Sequence, residues 1–232
     1  MRGDLLTVIP RVRGMPGIIA SPLLLVVHGR AGGAIPAELQ ALARELEAGR
    51  GAAVGLEALT AGEPPAVPCG SAAAPLVLVP LFLLPGSHVR RDVPRIAERC
   101  RRRGPVRRLP FLGAWPAWQR ALAAELAALP APVQPAGAPA QPAPWLLHHP
   151  LEGPLGVAFL AHLEAATGAR CHATPYSAPN SEDAPLSLPR PALPLALAAN
   201  RLTDALPPSL GLPLLQRPRF RAVVLEALMA LP

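Results

Sequence analysis

Apolar and polar positions along this chain fall into two alternating patterns. LLLVVHG, residues 23–29, holds no polar position until its end, the mark of a strand buried on both faces. IPAELQALARELEAG follows at 35–49, with Leu39, Leu42 and Leu46 at helical spacing and Gly49 as a stop. AAVGLEAL (52–59) predicts a second strand. TAGEPPAVPCGSAAAP (60–75) carries too much proline for a helix and predicts a loop. LVLVPLFLL (76–84) predicts the most hydrophobic strand, HVRRDVPRIAERCRRRG (88–104) a helix, PVRRLPFLG (105–113) a short strand and AWQRALAAELAAL (117–129) a helix. Alternation of this kind predicts an α/β fold, a parallel sheet with helices on its faces.

The pattern breaks at APVQPAGAPAQPAP, residues 131–144, where proline alternates with small residues and no packed element is tolerated. This linker divides the chain into an N-terminal lobe, 1–130, and a C-terminal lobe, 145–232. The second lobe repeats the first in weaker form. PWLLHHP mirrors LLLVVHG, GVAFLAHLEAATG mirrors the first helix, and ARCHATPY stands where AAVGLEAL stood. PLALAANRLTDAL lies over PLFLLPGSHVRRDV, with Pro194 against Pro80 and, after a two-residue gap, Asp204 against Asp92. The repetition predicts a duplicated unit: two similar lobes, each a small parallel sheet flanked by helices, with a cleft between them.

Composition narrows the classes of function. The 232 residues are 51% hydrophobic, enough for a large core, and only 3% aromatic, which argues against base-stacking platforms. The net charge is +7, carried entirely by arginine because the chain has no lysine. That excess reads either as coding bias or as attraction for an anionic partner. Cys69, Cys100 and Cys171 form no CxxC pair, so structural zinc and iron–sulfur ligation are unsupported and reduced thiols in a cytoplasm are expected. Arg and Asp interrupt the first residues, where a signal peptide needs an apolar core, and no apolar run is long enough to span a bilayer.

Candidate chemistry gathers at strand ends. His28 closes the first strand, Glu57 falls near the end of the second, and His88 lies just past the third. In a parallel sheet these carboxyl ends share one rim, where ligands bind. Two imidazoles and a carboxylate suit a borderline divalent ion with positions left open for a substrate.

LLLVVHGR followed by VPLFLLPGSHVRRDVP resembles the class II sirohydrochlorin chelatases, the CbiX-type cobalto- and ferrochelatases. The second string is the specific one: an apolar strand, LPG, one residue, His, and an acidic residue four positions later before Pro. The resemblance covers 23 to about 129 and extends weakly through 145–206. It implies two α/β lobes facing a cleft, and insertion of Co2+ or Fe2+ into a metal-free tetrapyrrole, with no cofactor beyond that substrate metal. It also implies catalytic and metal-binding roles for His28 and His88, with Glu57 as a third ligand. Two departures stand out: HGRAGG replaces the usual HGSR-like turn, and prolines occupy the place of the helix between the second and third strands.

Nine arginines lie between 90 and 108. Arg90 and Arg91, in the first turn after His88, are candidates for gripping the carboxylates of the macrocycle; from Arg99 onward the run is expected to be a solvated helix face. His148 and His149 end the first strand of the second lobe, where His149 echoes His28, while His162 and His172 are expected in packing or at the surface. The expected partners are a tetrapyrrole and a divalent metal, with no nucleic acid and no membrane, and an oligomeric state that the sequence leaves open. The alternatives are a degenerate chelatase-like protein that binds metal or ring without turnover, and an Arg-rich nucleic-acid binder whose affinity would fall steeply with salt.

Overall fold

A computed structural model describes residues 19–130, 143–174, 191–208 and 210–232. The first half builds β1 (Leu23–Val27), α1 (Ala37–Arg50), β2 (Val54–Ala58), β3 (Leu76–Pro80), α2 (Val93–Arg101), β4 (Val106–Arg108) and α3 (Pro116–Ala127). The second builds β5 (Trp145–His148), α4 (Pro154–Thr167), β6 (Arg170–Ala173), β7 (Ala192–Pro194), α5 (Arg201–Asp204) and α6 (Pro218–Met229). One sheet has the order β2-β1-β3-β4 and the other β6-β5-β7, with every pairing parallel.

The expected strand over 76–84 stops at Pro80. The residues after it bend away to form the rim, with the Gly113 N–H holding the Phe82 carbonyl at 3.0 Å. Residues 59–75 form no helix, as their prolines dictate. Val67 is buried instead, and Pro68 packs so near β2 that a Cβ on Gly55 would lie 2.9 Å from its Cδ. Of the proposed linker, residues 131–142 lie outside the described residues; Pro144 already serves the second sheet, accepting from the Arg170 N–H at 2.8 Å.

Alternation along the strands assigns the layers. Leu24, Val26, Leu76 and Leu78 face α2 through Val93, Ile96 and Cys100. Leu23, Leu25, Val27, Val77 and Val79 face α1 and α3, and the buried cluster they start runs on through Leu163, Phe220, Val224 and Leu228 to Leu146 and Leu193 of the second sheet. Four helices thus form one layer shared by both sheets. On the far face of the second sheet Leu147 and Ala192 meet Leu202 and Leu206.

The duplication is visible bond by bond. Val26 pairs with Pro80 as Leu147 pairs with Pro194. The Leu59 N–H donates to Val27 O as the Thr174 N–H donates to His148 O. Each half ends in a short 3-10 turn, Leu112–Ala114 or Leu214–Gln216, followed by a proline that opens a helix. α1 packs on α6 as α4 packs on α3. The equivalent residues Trp118 and Phe220, both fully buried, meet with ring centroids 4.9 Å apart, marking the pseudo-twofold axis. Ser21, just ahead of β1, and the residues after α6 are tied to the same layer: the Arg50 guanidinium donates to Leu228 O, Leu231 O and Ser21 O at 2.7–2.8 Å, and the Ser21 N–H to Pro232 O at 3.0 Å.

Candidate metal centre

His28 follows β1 directly and is held by a turn that only glycine can make. Gly29 has φ +79°, and a Cβ there would fall 2.5 Å from Thr60 Oγ1 and 2.8 Å from Ala58 Cβ. Thr60 fastens this turn to the end of β2, its N–H donating to His28 O at 3.2 Å and its hydroxyl to Arg30 O at 2.6 Å. The turn HGRAGG carries no hydroxyl of its own, but one reaches it from the next strand.

His88 arrives by a different device. Residues His88–Asp92 form a π-helical turn in which the Val93 N–H bonds His88 O. Pro94, which has no N–H, occupies the first turn of α2, so an ordinary bond back along the chain cannot form there and a wider turn is taken. The imidazoles of His28 and His88 meet edge to face, centroids 5.0 Å apart and planes at 72°, and Phe82 stacks against His88 at 6.0 Å.

Both rings have one nitrogen committed. His88 Nδ1–H donates to Asp92 Oδ2 at 2.7 Å, and His28 Nδ1–H donates to Gly29 O at 2.8 Å. In a neutral imidazole the other nitrogen, Nε2, then carries the lone pair. Both Nε2 atoms are thereby fixed in tautomer and direction, that of His88 through a carboxylate on Nδ1, an arrangement common on metal-binding histidines. The four-residue spacing of Asp92 from His88, about one helical turn, is the signal in the sequence for this hydrogen bond.

The second half contributes a third imidazole. Backbone bonding makes His148 the counterpart of Val27, so His149 is the counterpart of His28. His148 itself is buried, with Nδ1–H donating to His149 O at 2.7 Å. Burial pushes His149 down to about 4, aided by the neighbouring charges of His148 and His28, so it stands as a neutral base at neutral pH. The rims of the two halves interlock around these residues. Leu151, two residues beyond His149, would touch a Cβ on Gly86 at 3.8 Å, and Arg30 pairs with Asp204 of α5 at 2.5 Å.

Glu57 does not join the imidazoles. Pairing with Val26 places it on the α2 side of the sheet, 5% exposed, where its carboxylate accepts from Arg99 Nη2 at 2.5 Å. The expected third ligand is therefore a buried ion-pair partner, and Arg99, though 37% exposed, is tied to it rather than free on the helix face. The hydrogen bond to Glu57 holds the Arg99 proton more tightly than usual, outweighing the opposing effect of burial. Among the described residues no group of three or more His, Cys, Asp or Glu is placed to hold a metal ion. Arg90 and Arg91 are exposed on the π turn beside His88. His162 Nε2 lies 3.0 Å from Gln119 Oε1, joining α4 to α3, and His172 stacks on Trp145 at 4.5 Å; neither belongs to the rim.

The CbiX family model matches residues 22–129. No curated protein sequence matches the chain. Among solved structures the chain is similar to SirB from Bacillus subtilis with Fe3+, at 13% identity and a TM-score of 0.58, over 90% of this chain and 94% of that one. It is also similar to CbiX, described as the terminal enzyme for biosynthesis of siroheme in denitrifying bacteria, at 24% identity and a TM-score of 0.51, over 90% of this chain and 98% of that one. At these identities the two structures speak for the fold, the pair of parallel sheets joined through helices.

Proposed function

We propose that this chain, whose residues 22–129 match the CbiX family model, is a chelatase of that family and inserts a divalent metal ion into a sirohydrochlorin-type tetrapyrrole. The observation that carries this reading is the His28–His88 pair, two edge-to-face imidazoles each anchored through Nδ1 at the rim of the sheet.

A chelatase must hold its ion loosely, because the ion has to leave for the ring. The His28–His88 pair meets that requirement: the two imidazoles strip part of the hydration shell and leave other positions to water and then to pyrrole nitrogens. The ring must also lose its N–H protons, and neutral imidazole accepts protons near neutral pH. Asp92 keeps Nε2 of His88 presented through both events by fixing Nδ1–H. Arg90 and Arg91, exposed one turn from His88, are positioned to meet the carboxylates on the ring's edge. Cobalt and iron both suit imidazole, so the choice rests with the ion supplied. The three free cysteines fit a reducing compartment, and we place the reaction in the cytoplasm.

The test mixes purified protein with metal-free sirohydrochlorin and Co2+ or Fe2+ under anaerobic conditions, following the absorption change on metallation. Insertion well above the protein-free rate, lost in the His28→Ala/His88→Ala double variant, is the expected result. Insertion no faster than background by folded protein would overturn the catalytic reading and leave a binding protein.

A further inference from the structure

Away from the rim, the loop that stands in for the missing helix brings a thiol to the end of α2. Cys69 is exposed, and Arg103 Nη2 lies 3.3 Å from its Sγ. Cys100, buried on α2, and Cys69 line the same cavity of about 10 Å³, space for no more than one water. Arg103 belongs to both neighbourhoods, since its N–H donates to Cys100 O at 2.9 Å and its guanidinium acts electrostatically on the Cys100 thiol. The loop is pinned there: a Cβ on Gly70 would fall 2.1 Å from Leu76 N and 2.7 Å from Pro105 O.

We infer that Cys69 and Cys100 form a peroxide-sensitive dithiol, with Cys69 the attacking sulfur and Cys100 the resolving one. Reactive cysteines occupy exposed, electropositive surroundings, and among the three thiols Cys69 is the exposed one, with a guanidinium on its sulfur. In the first step a hydroperoxide is the oxidant. The Cys69 S–O bond forms, the peroxide O–O bond breaks, and the thiol proton leaves with the departing oxygen as water or alcohol. In the second, the Cys100 sulfur attacks Cys69 sulfur: the S–S bond forms, the S–OH bond breaks, and hydroxide departs with the Cys100 proton as water. Burial holds the Cys100 thiol above its ordinary range, which protects it from direct oxidation, while the cavity it lines together with Cys69 gives the two side chains a shared space in which to meet.

The experiment treats the full chain with hydrogen peroxide, counts free thiols and maps the peptides by mass. The expected result is loss of two thiols per chain, a Cys69–Cys100 cross-link reversed by dithiothreitol, and survival of Cys171, half-buried and pushed up to about 11 by burial. In Cys100→Ser, dimedone should trap Cys69 as a sulfenic acid, and Arg103→Gln should slow that labelling. Equal oxidation of all three cysteines, or over-oxidation of Cys69 without a cross-link in the unaltered chain, would overturn the inference.

Discussion

Replacing Glu57 by Gln separates two roles that one carboxylate has been given. As a metal ligand it would support ion binding; as the buried partner of Arg99 it supports the packing of α2 on the sheet. Glutamine keeps the shape and one acceptor oxygen but removes the charge. A hydrogen bond to a charged group contributes about 1.5–3 kcal/mol. Arg99 is 37% exposed and can recover water, so the loss is reduced to about 1–2 kcal/mol. With a urea dependence of about 3 kcal/mol per molar for a chain of this size, the unfolding midpoint should fall by about 0.5 M. Co2+ titration of the same variant should give an unchanged affinity. A Co2+ affinity weakened by about tenfold, 1.4 kcal/mol, with an unmoved midpoint would refute the ion-pair assignment and restore Glu57 to the metal.

Asp92→Asn leaves a side chain of the same size but weakens its hold on the His88 tautomer; insertion should slow by about 10–100-fold with the unfolding midpoint nearly unchanged, measured by the absorption assay and urea melts. His149 is pushed down to about 4 in the folded chain, below its ordinary 6.5, so the unfolded chain binds the extra proton first. Stability from this residue should be complete above pH 6.5 and lost as pH falls to 4, and His149→Gln should flatten that part of a stability–pH profile. Phe220→Ala empties a fully buried site against Trp118 and should cost about 3–5 kcal/mol. Tryptophan fluorescence and circular dichroism should report one shared transition, because the buried cluster spans both sheets; two separated transitions would contradict that.

Periodicity revealed the layers because burial imposes it. The unbroken run Leu23–Val27 could only be a central strand, and Leu39, Leu42 and Leu46 could only be the inner stripe of a helix. The duplication was readable from Pro80 and Pro194 because both sit where a parallel strand ends and the chain must turn. His28 and His88 followed from the same rule about strand ends. Glu57 misled that rule: strand order brought it near the rim, but which way a carboxylate turns depends on what faces it, and Arg99 lies 42 residues away on a helix whose docking no local pattern encodes. His149 was recognised as an echo of His28, but its approach to the first site depends on how the halves interlock through Leu151 and Arg30, contacts between residues far apart in sequence.

The packing of α6 on α1 sets an order of events during synthesis. Leu39, Leu42 and Leu46 leave the ribosome long before Val224 and Leu228, which cover part of their layer, and the Arg50 guanidinium waits for carbonyls 178 and 181 residues further on. The first sheet with its helices is therefore born with an apolar flank open to solvent until α6 is made. Contacts of such long sequence separation slow folding and expose nascent chains to association. The interval between the two helices is thus the window in which that flank is open to wrong partners.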